Sequence, residues 1–142
     1  MTATALPAAR TTWKATLAAA GVAIAGSLVV NTVIALVAKA LGAPDEFQPL
    51  TFPVYGTLSV AGVLLSAVAW RLVVARSRDA ARVLRTLVPV VLVLSLIPDV
   101  VLLATKGQPG TTTTGVVALM LMHLAVAAVA VPAYRRFMHP QS

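Results

Sequence analysis

The chain has 142 residues, 59% of them hydrophobic and only 11% charged, with a formal net charge of +7 and no cysteine. Soluble domains carry about a quarter charged residues, so this chain has too little polar surface to keep a globule in water. Its mean hydropathy is +0.93. The length suits one domain over 1–142, and the lack of cysteine excludes disulfides and thiolate metal sites.

Residues 1–14 are rich in Thr and Ala and carry Arg10 and Lys14. Four apolar runs follow, at about 15–38, 53–74, 83–105 and 114–134. Each has roughly 21 to 24 residues, enough to cross a hydrocarbon layer of ~30 Å as a helix. Helices are expected because lipid cannot satisfy open backbone groups. Pro53 suits the first turn of the second run, where its missing N–H is harmless. Gly42, Pro44 and Pro49 break the chain after the first run, and Gly107, Pro109 and Gly110 after the third. The Thr111–Thr114 run offers N-caps to the fourth. The opening resembles a signal peptide around Ala23-Ile24-Ala25, but the apolar run continues to Val37, beyond what a cleaved signal needs.

Trp13, Trp70, Tyr134 and Phe137 fall at one set of run ends, and Phe47, Phe52 and Tyr55 at the other. That is the pattern of interfacial aromatic belts. Arg10, Lys14, Arg71, Arg76, Arg78, Arg82, Arg85, Arg135 and Arg136 lie on the termini and the second loop. The other loops hold only Lys39 and Lys106, with Asp45 and Glu46. The positive-inside rule then puts both termini in the cytoplasm. Each run also has one smaller or more polar stripe, such as Ala20, Ser27, Asn31 and Ala35 in the first. Turned inward, these stripes predict an all-α, integral membrane, antiparallel four-helix bundle.

Asn31, Ser59, Asp99 and His123 are the residues to which a chemical role can be assigned. Counted from the expected outer ends, they lie roughly 9 to 13 Å deep, so each helix offers one polar group to a common layer. Pro98 adds a kink and frees the Leu94 carbonyl. An ionised carboxylate at this depth costs about 2.5 to 3.5 kcal/mol and demands a partner. Either Asp99, His123 and Asn31 form a satisfied hydrogen-bond network that sets helix register, or the layer forms a ligand or proton site. Arg78, Arg82 and Arg85, at helical spacing, suit anionic lipid headgroups, though setting topology alone also explains them. Asp99 and His123 are too few ligands for a closed metal site. No cofactor motif or nucleophile–base pair occurs, and basic residues are not interleaved with aromatics as nucleic acid would require.

The segment LSLIPD (Leu94 to Asp99) and the histidine in ALMLMHLAVAAV (His123) resemble those of an uncharacterised actinobacterial family of small four-helix membrane proteins. The resemblance implies four spans and a bacterial plasma membrane, and it brings no activity. Three functions are compatible with these residues. The first is non-enzymatic binding of a small or lipid-like ligand, or of a membrane partner, through an outer-half polar cavity. The second is a proton-coupled transporter component using Asp99 and His123, which at this size calls for a homodimer. The third is a membrane enzyme with Asp99 and His123 as acid and base. Beyond the bilayer and such a ligand or partner, no cofactor and no nucleic acid are expected.

Overall fold

The computed structural model describes residues 11–140, so the expected cytoplasmic charge at Arg10 lies outside the described residues. Helix α1 spans Trp13–Ala40, α2 Phe52–Arg76, α3 Ala80–Ser95, α4 Ile97–Thr105 and α5 Thr113–Phe137. A short 3-10 turn, Gln48–Leu50, precedes α2. Taking α3 and α4 together, four helical stretches are long and apolar enough to cross a membrane.

Local chemistry explains the ends. Thr12 caps α1 by accepting from the Ala15 N–H, Asp79 caps α3 through the Arg82 N–H, and Thr112 caps α5 through the Gly115 N–H. Gly42, with φ +92, closes α1. The Ala43 N–H donates to the Ala38 carbonyl and the Gly42 N–H to Lys39, a Schellman ending that needs the left-handed residue. Pro53 lies in the first turn of α2. The third stretch breaks at Leu96, and Pro98 stands in the first turn of α4. Its missing N–H is harmless there and would have cost a bond inside a continuous helix.

Helix α1 packs chiefly on α5 and next on α2. Its inward stripe is small, with Ala19, Ala20, Ala23, Ser27 and Ala35 buried, and α5 answers with Gly115, Ala118, Ala130 and Ala133. Small residues let two helices approach closely in lipid, where helix association gains from contact rather than from water release. The approach is tightest at Gly26, where an added Cβ would meet Val129 Cγ1 at 2.7 Å. Two apolar clusters result. One gathers Ala23, Val63, Trp70, Ala130 and Tyr134. The other gathers Ala38, Phe47, Leu50, Val116 and Met122 around the first loop. Phe47 is fully buried under Gly110 and Gly115, so that loop is folded into the end of the bundle.

The aromatics depart from a simple lipid-facing belt. Trp13 and Phe52 are exposed, but Phe47, Tyr55, Trp70 and Tyr134 are buried. The polar handles of three of these bond within the protein. Tyr134 OH donates to the Val63 carbonyl at 2.7 Å, Trp70 Nε1 donates to the Met138 carbonyl at 3.0 Å, and Tyr55 OH lies 3.0 Å from Thr32 Oγ1. Arg71 also has a packing role beyond topology. It donates to the Thr11 carbonyl and Thr16 Oγ1 and stacks 4.1 Å from the Trp13 ring, tying α2 to the start of α1.

The third stretch is attached loosely. Only 6% of its most apolar window is buried, against 22–28% for the others. Its partners are α2 and α5, each over a small area.

Gly26→Leu is expected to destabilise the protein by about 1–3 kcal/mol through overpacking at Val129. Gly21→Leu, whose Cβ meets nothing within 4 Å, is expected to leave stability unchanged. Thermal unfolding of both variants in the same detergent checks this.

Candidate functional site

Because the third stretch stands away from α1, a cavity of about 880 Å³ lies among α2, α3, α4 and α5, open on one side. Its walls are mostly apolar, with Leu58 and Gly62 from α2, Leu87 and Val91 from α3, and Met122 and Val126 from α5. At one end Pro49, Gln108 and Thr105 approach it; at the other lie Trp70, Leu84 and Tyr134. Among the described residues, no lysine or arginine lines it. The volume falls within the range of pockets that enclose small organic ligands, about 300–1,000 Å³.

All four residues singled out by sequence, Asn31, Ser59, Asp99 and His123, line this cavity. They form two pairs rather than one network. Asn31 Nδ2 donates to Ser59 Oγ at 2.9 Å, joining α1 to α2. His123 Nδ1 lies 3.2 Å from Asp99 Oδ2, joining α5 to α4. That contact is short but lacks hydrogen-bond alignment, since Asp99 Oδ2 makes no hydrogen bond. Nδ1 is 2.9 Å from the Leu119 carbonyl one turn back, and in the tautomer protonated at Nδ1 it donates there. The imidazole then presents Nε2 as an acceptor, and the carboxylate acts on the ring through charge.

The helix break explains how Asp99 is tolerated. Asp99 occupies the first turn of α4, where the positive end of the helix dipole favours an anion. A broken helix inside a membrane thus supplies a charged residue and a dipole that offsets part of its cost. Asp99 is 6% exposed and Asn31 1%. Asn31 Oδ1 and Asp99 Oδ2 are both buried without a hydrogen-bond partner, as is Ser27 Oγ one turn from Asn31. Buried polar atoms are nearly always paired, so an unpaired acceptor on each of two residues that line one cavity singles out this part of its wall.

Other cavity residues were not evident as site residues from sequence. Trp70 and Tyr134 read only as interfacial aromatics, Tyr55 as one that also heads the inward stripe of the second run, and Gln108 carried no reading. Only the depth of the loop and the inward turn of the aromatics bring them to the wall. Arg78, Arg82 and Arg85 lie away from the cavity, exposed around the start of α3, with no ion pair among the described residues. No group of three His, Asp or Glu side chains suited to a metal occurs among the described residues.

The pairing makes a measurable prediction. Asn31→Ala and Ser59→Ala should each lower thermal stability, and the double variant should lose less than their sum. The expected coupling is about 0.6 to 1.7 kcal/mol, the range for hydrogen bonds between membrane helices. Strict additivity would mean that the 2.9 Å contact does not stabilise the protein.

Among known proteins, the model of a family of unknown function, DUF6069, matches residues 7–140. No curated protein and no solved structure matches the chain.

Proposed function

The chain belongs to the DUF6069 family of unknown function, and from its own geometry we propose that it is a non-enzymatic, multi-pass protein of the bacterial plasma membrane that binds a small lipid-like molecule. In this reading the four spans form an antiparallel bundle with both termini in the cytoplasm. The ligand enters from the bilayer through the open side of the cavity. Its apolar part lies along Leu58, Val91 and Val126, and its polar part reaches Asn31, Ser59, Asp99 and His123.

The observation that carries this reading is an apolar cavity whose lining includes Asn31 and Asp99, each with a buried acceptor left without a hydrogen bond. A purely structural network would satisfy its own members, since a half-satisfied buried network costs more than an apolar one. Exposed residues such as Leu17, Val29, Leu65, Val93 and Leu94 give the protein an outer surface suited to lipid. The exposed arginines at 78, 82 and 85 suit anionic headgroups on the cytoplasmic side.

A proton-coupled transporter, working as a homodimer, is the second reading. It is favoured by the 3.2 Å Asp99–His123 contact beside a helix break, a combination that also occurs where transporters bind ions. It predicts flux driven by a pH gradient in liposomes, abolished by Asp99→Asn.

Two experiments test the primary reading. The chain has no cysteine, so single cysteines report topology cleanly. Glu46→Cys is expected to react with a membrane-impermeant maleimide on intact cells, and Arg78→Cys only after lysis; the reverse pattern would overturn the orientation. For binding, Trp13→Phe leaves Trp70, at the cavity end, as the sole tryptophan. In phosphatidylcholine nanodiscs, 12-bromododecanol is expected to quench Trp70 saturably. Gly62→Phe, which projects a ring into open cavity space, is expected to suppress the quenching. Quenching that rises linearly and ignores Gly62→Phe would mean partition into bulk lipid and would sink the binding reading.

A further inference from the structure

We propose that the ligand is a hydrophobic monocation, an ammonium group on a single apolar body, with Asp99 as its counter-ion. This rests on the binding reading above and narrows it to one head-group chemistry.

The charges around the cavity support it. Among the described residues, Asp99 is the one acid that lines it, His123 the one base, and no lysine or arginine reaches it. An anionic head, such as a carboxylate or phosphate, would meet a carboxylate with no fixed cation to offset it. In a cavity walled by hydrocarbon that repulsion is poorly screened. An ammonium meets the opposite situation. Asp99 is a carboxylate on the cavity wall with no aligned hydrogen bond to offset its charge, and an ammonium carries up to three N–H donors and no acceptor. His123 Nε2, when Nδ1–H is turned to the Leu119 carbonyl, adds an acceptor.

The cavity is also polarised along its length. At the Trp70 end the polar atoms are already used, Trp70 Nε1 by the Met138 carbonyl and Tyr134 OH by the Val63 carbonyl. That end therefore offers apolar and aromatic surface alone. Ser59 and Trp70 stand eleven residues apart on α2, roughly 16 Å, which matches an extended dodecyl chain. The ammonium lies at Asp99 and the tail runs toward Trp70. The N-terminus of α4 offsets part of the cost of an anionic Asp99, and a bound ammonium would offset more of it.

The Trp13→Phe chain in phosphatidylcholine nanodiscs, whose surface carries no net charge, is titrated with three probes of one tail: 12-bromododecylammonium, 12-bromododecanol and 12-bromododecanoate. The ammonium is expected to quench Trp70 saturably at concentrations about tenfold or more below the alcohol, the size of one charge-assisted hydrogen bond. The carboxylate is expected to bind weakest. Asp99→Asn should bring the ammonium and the alcohol to similar concentrations, the ratio of the two probes being the readout, and saturable quenching by either shows that the variant still has its cavity. If all three probes quench saturably at similar concentrations, or if Asp99→Asn leaves that ratio unchanged, the head-group assignment is overturned and the binding cavity stands. If none quenches saturably, both readings fail, and the cavity is covered by lipid chains or by another helix.

Discussion

The close contact between the first and last helices organises this protein. Water cannot drive two helices together inside a bilayer, so their association depends on how near the backbones come and on what polar groups they share. Alanine, glycine and serine along α1 meet α5, with Gly26 so close to Val129 that a Cβ would not fit. Helix α2 adds to this pair through Asn31–Ser59, Tyr55–Thr32 and the Arg71 contacts at the start of α1. Three spans thus form the packed part of the molecule, and the fourth is left to stand apart.

That unevenness creates the cavity. Were α3 and α4 drawn in as tightly as α5, Leu87, Val91 and Val126 would touch across the bundle and leave no room for a ligand. The short connections on either side hold the stretch beside α2 and α5 without pressing it in. Just past the break at Leu96, Asp99 lies beside His123 on the wall that Asn31 and Ser59 also line. A straight helix would leave Asp99 without the dipole of a helix start, which makes its charge less costly. Cavity, break and carboxylate are therefore one arrangement.

The apolar clusters at the two ends have different parts in it. Around Trp70 and Tyr134, hydrogen bonds are complete and the packing is dense, which ties the end of α5 to α2. Around Phe47 the first loop is drawn under the start of α5, and Pro49 from that loop reaches the cavity. Asn31, Ser59, Asp99 and His123 line the cavity between the two clusters, which is open to one side.

Much of this was legible in the amino-acid sequence. The apolar runs, the proline and glycine breaks and the threonine caps follow from local rules that act over a few residues, and the described helices lie close to the expected ones. The four polar residues could be matched in depth because a helix rises by a fixed step per residue. Other features were decided only in three dimensions. Helix partners are set by side chains far apart in the chain, so nothing local foretold that α1 would choose α5 or that the third stretch would stand off. Likewise, aromatic residues near span ends satisfy a membrane interface and a buried hydrogen bond equally well in sequence. The carbonyls of Val63 and Met138, placed by tertiary packing, turned Tyr134 and Trp70 inward. The same holds for Asp99 and Asn31: sequence placed them at one depth, and only the fold paired each with a different neighbour and left an acceptor of each unpaired.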